Sequence, residues 1–326
     1  MMLVLFLIFP RIGPLWQVDM NTGQSFTGLS DSMSPGDVSR LTRSADIAFR
    51  ARFETVSPPE NMRYWRGLTY DRFDGRRWTR SEQQGIEPRN GVQSNPAARF
   101  NSPRDYRYEI VMEATGQTWR YALDVPVSYP ATVRRLADMT LQGQDPLMQR
   151  TQYQLVSRVA PQQDRLSAGR YDRYLQLPER GNEKARQLAL QWASEQPDVK
   201  AFTAQMMAFF ATRFRYTLEP PLLPGSDSVD QFLFQTRQGF CGHFASAGAF
   251  LLRAAGVPAR VVGGYLGGEL NPLDGALTVR QYEAHAWLEY WDRESQSWLR
   301  RDPTSGVAPV RLEQPAAPLV RCESSV

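Results

Sequence analysis

Apolar positions along the 326-residue chain change period near its midpoint. Before that point, alternation dominates: Ile47, Phe49 and Phe53 around the polar Arg50, then Tyr106, Tyr108, Ile110 and Met112, then Tyr153, Leu155 and Val159. Aromatic and β-branched residues alternating between Gly, Pro, Asn and Asp turns predict an antiparallel β domain, a sandwich or small barrel, over 19–165. The polar stretch 81–103 predicts a long loop within it. Beyond 164–178 the period lengthens. Ala185, Leu188, Ala189 and Trp192 recur at helical spacing over 182–195, and Phe202, Met206, Phe209 and Phe210 do so over 198–214. No repeat of fixed period runs through the chain, which argues against solenoids and propellers.

The chain opens on an unbroken apolar run, Met1 to Phe9, with Pro10, Arg11 and Trp16 behind it. Such a run is too short to span a bilayer, which takes about 20 residues. It also lacks the basic start and small-residue cleavage site of a signal peptide. A buried strand is the plain alternative, but the run reads better as the remnant of a transmembrane helix over 1–18, with Trp16 at the interface. The rest would then be the soluble part of a membrane-anchored protein, expected to be a monomeric domain. The formal charge of +4 is spread thinly, with arginines scattered among acids and no block of like charges, so a nucleic-acid footprint is not expected. Two cysteines, Cys241 and Cys322, make neither a disulfide scaffold nor a zinc cluster. Cys322 falls in a Pro- and Ala-rich tail, 311–326, that reads as disordered.

The densest information lies between Gln238 and Pro258. Small and apolar residues run from Cys241 to Ala255, and Gly256 and Pro258 supply a helix stop. Cys241 thus begins a buried helix, beside unsatisfied amide N–H groups that favour thiolate over thiol. A small buried cysteine is the plain alternative. A thiolate needs an imidazole partner, and the chain has two histidines, His243 and His285. His243 sits two residues along the same helix and points away from Cys241, as an ordinary helix-face residue, which leaves His285. His285 lies in an alternating strand, 282–291, followed by turn residues 292–295 and a returning strand. With that turn, Leu288 faces Leu299 and His285 faces Asp302, whose carboxylate would orient the imidazole. A slip of one residue would separate them.

A helix-start cysteine, a strand histidine and a returning-strand aspartate, in this order, resemble the transglutaminase-like members of the papain-type cysteine enzymes. The resemblance covers 226–308 and rests on 239–247, 259–265, 283–287 and Asp302 with Pro303. The apolar start and a β domain containing Phe73, Asp74, Gly75 and Trp78 further resemble the TgpA-type bacterial membrane proteins, in which a periplasmic transglutaminase-like domain follows a membrane part. The fold class implied is α+β: a papain-like core over 166–310, its helix-start cysteine packed on an antiparallel sheet, preceded by the β domain. The implied site is Cys241, His285 and Asp302, acting outside the cytoplasm on protein or peptide substrates through their glutamine and lysine side chains. Cys241 would attack a glutamine carboxamide, His285 would protonate the departing ammonia, and the thioester would pass to an amine. Hydrolysis of envelope or wall polypeptides by the same residues is the first alternative, and a non-catalytic peptide- or wall-binding module the second. No cofactor is implied, and no calcium loop of the Asp-x-Asp-x-Asp-Gly type occurs, so no metal is expected. Animal transglutaminases carry an oxyanion-donating tryptophan upstream of the cysteine, yet 226–240 contains none. Besides the Cys241 amide, Trp65 and Gln238 are the candidate donors. Gly263, Gly264, Tyr265 and Trp287 are candidate cleft residues.

Overall fold

The structure, a computed structural model, describes residues 29–34, 44–81 and 103–307. The apolar start 1–18 with Trp16, most of the expected loop 81–103, and the tail 311–326 with Cys322 lie outside the described residues. Among the described residues, no helix is long and apolar enough to cross a membrane.

Two six-stranded antiparallel sheets frame the molecule. Their strands, in chain order, are β1 (Ile47–Phe53), β2 (Tyr64–Tyr70), β3 (Asp105–Met112), β4 (Ala122–Leu123), β5 (Val125–Ser128) and β6 (Thr151–Arg158). They continue with β7 (Gln162–Gln163), β8 (Ala259–Leu266), β9 (Glu269–Leu270), β10 (Leu277–Arg280), β11 (Ala284–Asp292) and β12 (Ser297–Arg301). The first sheet has the order β9-β10-β1-β3-β6-β5, and the second β7-β12-β11-β8-β2-β4. A boundary at 165 therefore passes through both sheets. The C-terminal half completes the first with β9 and β10, and the N-terminal half completes the second with β2, β4 and β7. The alternating pattern does not reveal this exchange, because β2 (Tyr-Trp-Arg-Gly-Leu-Thr-Tyr) is buried at every position. A strand covered on both faces reads as continuous rather than alternating.

Helices α1 (Glu183–Glu195), α2 (Val199–Arg213) and α3 (Cys241–Ala254) follow the helical spacing closely. Asp198 caps α2 by accepting from the Ala201 amide at 3.0 Å. Asp230 accepts from the Lys184 and Ala185 amides at the start of α1, at 3.0 and 2.7 Å. Every residue of α3 from Cys241 to Arg253 is buried. The helix packs on β11, where a Cβ added at Gly248 would come within 2.5 Å of Leu288 Cδ2, so a larger residue there would push helix and sheet apart. Its end is closed by a Schellman motif: the Val257 amide bonds Leu252 O at 2.9 Å, the Gly256 amide bonds Arg253 O at 3.0 Å, and Gly256 takes φ +79°. The Arg253 guanidinium completes the anchoring by donating to the carbonyls of Ala259, Gln176 and Asp71.

The β11–β12 hairpin departs from the expected register. Leu288 pairs with Arg301 rather than Leu299, and Trp291 with Trp298 rather than Gln296. The turn spans 293–296 instead of 292–295. Asp292 is responsible: its carboxylate accepts from the Ser295 amide at 3.0 Å and from the Ser295 hydroxyl at 2.5 Å, which holds it as the last strand residue. Gln296 then takes the left-handed position at φ 48°. The pairing shifts by two residues, so each side chain keeps its face. Asp302 falls just past β12 rather than opposite His285 in the ladder.

Candidate active site

The chain approaching Cys241 is held from several sides. A π-helical turn, Gln231–Thr236, ends at Arg237 in the left-handed conformation (φ 50°), and Gln238–Gly239 then pairs in parallel with Arg215–Tyr216. A Cβ at Gly239 would lie 2.8 Å from His243 Cβ and 2.9 Å from Phe232 Cε2, so this position has room for glycine alone. Phe240 is extended and Cys241 is the first helical residue. The Cys241 side chain is fully buried, at the helix end where amide N–H groups lack helical acceptors. His243, in the third helical position, turns back and accepts from the Phe240 amide through Nδ1 at 3.4 Å. It packs edge-on to Phe240 at 4.5 Å between ring centroids, with Phe232 at 5.6 Å. Burial lowers its pKa to about 4, so it remains a neutral cap. It is therefore a helix residue with a structural role, on a buried face.

His285 and Asp302 meet directly. Nε2 of the imidazole lies 2.6 Å from Asp302 Oδ2, with both residues buried. Asp302 heads a turn in which its Oδ1 accepts from the Thr304 amide at 3.0 Å and the Thr304 hydroxyl at 2.6 Å. Its Oδ2 also accepts from the Tyr64 hydroxyl at 2.9 Å. Burial opposes the charged imidazole, but the charge and hydrogen bond of Asp302, followed by Cys241, outweigh it and raise the His285 pKa to about 10. Burial likewise opposes the Asp302 carboxylate, but His285 and Thr304 hold its pKa down to about 2. Cys241 is thus close enough to influence the imidazole, while Nδ1 has no hydrogen-bond partner of good geometry. Catalytic hydrogen bonds of this kind form fully only around a bound substrate.

The remaining sequence candidates separate. Trp65 donates its indole N–H to Gly267 O at 3.0 Å inside the core, so it is committed elsewhere. Gln238 lies on the surface. Tyr265 is core, packed on Phe49 and Tyr121 and donating to Gln281 Oε1 at 2.7 Å. Gly264 is dictated by packing, because a Cβ there would lie 2.0 Å from Trp65 O. Gly263 faces Tyr70, with a built Cβ 3.1 Å from its ring. Trp287 does stand beside His285, their rings 6.4 Å apart and nearly parallel. Sequence reasoning missed Tyr64 and Thr304. The Asp302-Pro303-Thr304 turn carries a readable signal, since Asp bonds the backbone two residues on. Tyr64, far away in sequence, offers none. Four residues beyond His285 on the same strand face, Glu289 is buried between Arg66 and Arg260, and Arg260 Nε lies 2.8 Å from its Oε2. Burial raises the Glu289 pKa, but the two arginines prevail and hold it down to about 2. Among the described residues, no group of three or more His, Cys, Asp and Glu side chains could hold a metal ion.

Two family profiles match successive stretches of the chain. The family profile described as the TgpA N-terminal domain matches residues 1–164, and that of the transglutaminase-like superfamily matches residues 186–303. A Pseudomonas aeruginosa protein named protein-glutamine gamma-glutamyltransferase is 47% identical over 96% of this chain. The chain spans 46% of that relative's length. The Bacillus subtilis protein YebA, itself uncharacterised, is 37% identical over 41% of this chain and 19% of its own length. Among solved structures, the periplasmic domain of TgpA from Pseudomonas aeruginosa, crystallised with ethylmercury, superimposes with a TM-score of 0.79 at 45% identity. It covers 88% of this chain and 100% of its own.

Proposed function

Because the chain belongs to the TgpA family of transglutaminase-like proteins, we propose that it is a cysteine acyltransferase of the protein-glutamine gamma-glutamyltransferase type, with Cys241, His285 and Asp302 as its catalytic residues. The observation that carries this reading is the 2.6 Å contact between Asp302 and a buried His285, on the strand against which the helix begun by Cys241 packs. An imidazolium with its pKa near 10 is charged at neutral pH, which suits a thiolate neighbour.

In the proposed reaction, the Cys241 sulfur bonds to the carbonyl carbon of a glutamine carboxamide, and the carbonyl π electrons move to oxygen. The backbone N–H of Cys241 at the start of α3 would be the first donor to that oxyanion. On collapse the C–N bond breaks, and His285 gives its proton to the leaving nitrogen, so that ammonia departs and a thioester remains. The neutral imidazole then takes a proton from an incoming amine as that amine attacks the thioester, which restores the thiolate and the imidazolium. Asp302 holds the ring orientation through Nε2 and leaves Nδ1 for proton transfer. The periplasmic origin of the related Pseudomonas aeruginosa domain supports an extracytoplasmic site of action, with the apolar N-terminal segment as a membrane attachment. Incubation with a glutamine-containing protein and a labelled primary amine tests the reading. Label is expected to enter the protein with the wild type and not with Cys241→Ala. Release of ammonia without incorporation would place water in the role of acceptor and make the protein a hydrolase.

A further inference from the structure

We infer that Tyr64 is a positioning residue for the Cys241–His285–Asp302 group, acting through Asp302, so that a strand from the N-terminal half completes the site. The inference rests on the acyl-transfer reading above. Tyr64 opens β2, whose partner β8 lies between it and β11 in the second sheet. Its hydroxyl donates to Asp302 Oδ2 at 2.9 Å, the same oxygen that contacts His285 Nε2. The other oxygen is held by the amide and hydroxyl of Thr304. A carboxylate has about four acceptor sites, and here all are used, two on each oxygen. Thr304 alone would leave Oδ2 free to swing about the Oδ1 anchor. Tyr64 fixes Oδ2 against the imidazole.

The tyrosine is itself held firmly. The Arg300 guanidinium lies 4.0 Å from its ring centroid and also bonds Asp124 Oδ1 at 2.7 Å, while Trp287 meets the ring edge-on at 5.2 Å. Burial, followed by the charge of Asp302, raises the phenol pKa far above its ordinary value, so the hydroxyl keeps its proton and stays a donor. The charged and titratable groups around the His285–Asp302 pair are Cys241 from α3, Tyr64 from β2 and, behind Tyr64, Arg300 and Asp124.

Tyr64→Phe removes the hydroxyl and keeps the ring, its stacking with Arg300 and its packing with Trp287. Amine incorporation is measured for this variant beside Cys241→Ala and Asp302→Ala, across neutral and alkaline pH. Tyr64 touches no substrate, so kcat is expected to fall roughly 10-fold with KM unchanged, the scale of one hydrogen bond to a charged group. The alkaline limb of the profile, set by His285 near 10, should move to lower pH as the pair loosens. The downfield proton resonance of the His285–Asp302 hydrogen bond should move as well. A Tyr64→Phe enzyme with wild-type kcat and an unmoved limb overturns the inference, and so does a loss confined to KM. If Cys241→Ala retains incorporation, the acyl-transfer reading fails instead. If Cys241→Ala and Asp302→Ala are inactive while Tyr64→Phe behaves as wild type, only the role of Tyr64 falls.

Discussion

The first turn of α3 and the first residues of β11 each bury a histidine, and the two imidazoles end in opposite charge states. His243 meets Phe232, Phe240 and a backbone amide, and burial alone lowers its pKa to about 4. His285 is at least as deeply buried, yet Asp302 and Cys241 raise its pKa to about 10. Burial works against the charged form in both. A carboxylate at 2.6 Å reverses the outcome in one. Depth of burial therefore does not distinguish a structural histidine from the one proposed to act in catalysis; the partner does. Glu289 extends the lesson along β11, since two arginines hold its carboxylate charged despite burial.

The largest effects that would break this contrast are on turnover. His285→Ala should reduce amine incorporation by about 10³-fold or more. His243→Ala should act on the fold instead, lowering stability by about 1–3 kcal/mol through loss of the cap and its packing, as read from urea denaturation. Equal activity losses in the two variants at full folding would erase the distinction. Asp302→Asn comes next. It keeps the shape and removes the charge, so kcat should fall by about 10²- to 10⁴-fold. The alkaline limb should retreat from about 10 toward the ordinary histidine value of 6.5. A limb left near 10 would remove Asp302 as the cause of the raised pKa.

The smallest effect is on stability against pH, and the two histidines should show opposite signs. The folded pKa of His285 is raised, so its contribution is complete below about 6.5 and disappears as pH climbs through about 10. That of His243 is lowered, so its contribution is complete above about 6.5 and fades as pH falls toward about 4. Urea midpoints across this range should therefore lose their acid-side slope in His243→Ala and their alkaline-side slope in His285→Ala. The same sign in both variants would contradict the contrast.

Much of the site is legible in sequence because its parts obey local rules. The Gly256 and Pro258 stop, with the apolar run behind it, marks α3 and places Cys241 at its start. The aromatic-rich run around His285, together with the turn residues after it, marks β11 even though that strand too is buried at every position, and Asp302-Pro303 marks the end of the returning strand. The register differs from the expected one by two residues because Asp292 and Ser295 bond each other, a side-chain choice that composition does not rank against other turns. The even shift still left Asp302 within reach of His285. The non-local parts were not readable at all. β2 is buried at every position and carries no period, so neither its place in the second sheet nor the Tyr64 contact to Asp302 could be foreseen. Arg66 and Arg260 gave no sign that both would close on Glu289.

Covalent capture at Cys241 tests the central claim most directly. The protein is mixed with a glutamine-containing peptide without added amine, quenched in acid, and its mass and the modified residue are determined. The expected result is an adduct of the peptide mass less ammonia, located on Cys241, discharged by a primary amine and absent in Cys241→Ala and His285→Ala. An adduct on another residue would contradict the claim. So would amine incorporation that continues at the wild-type rate in Cys241→Ala.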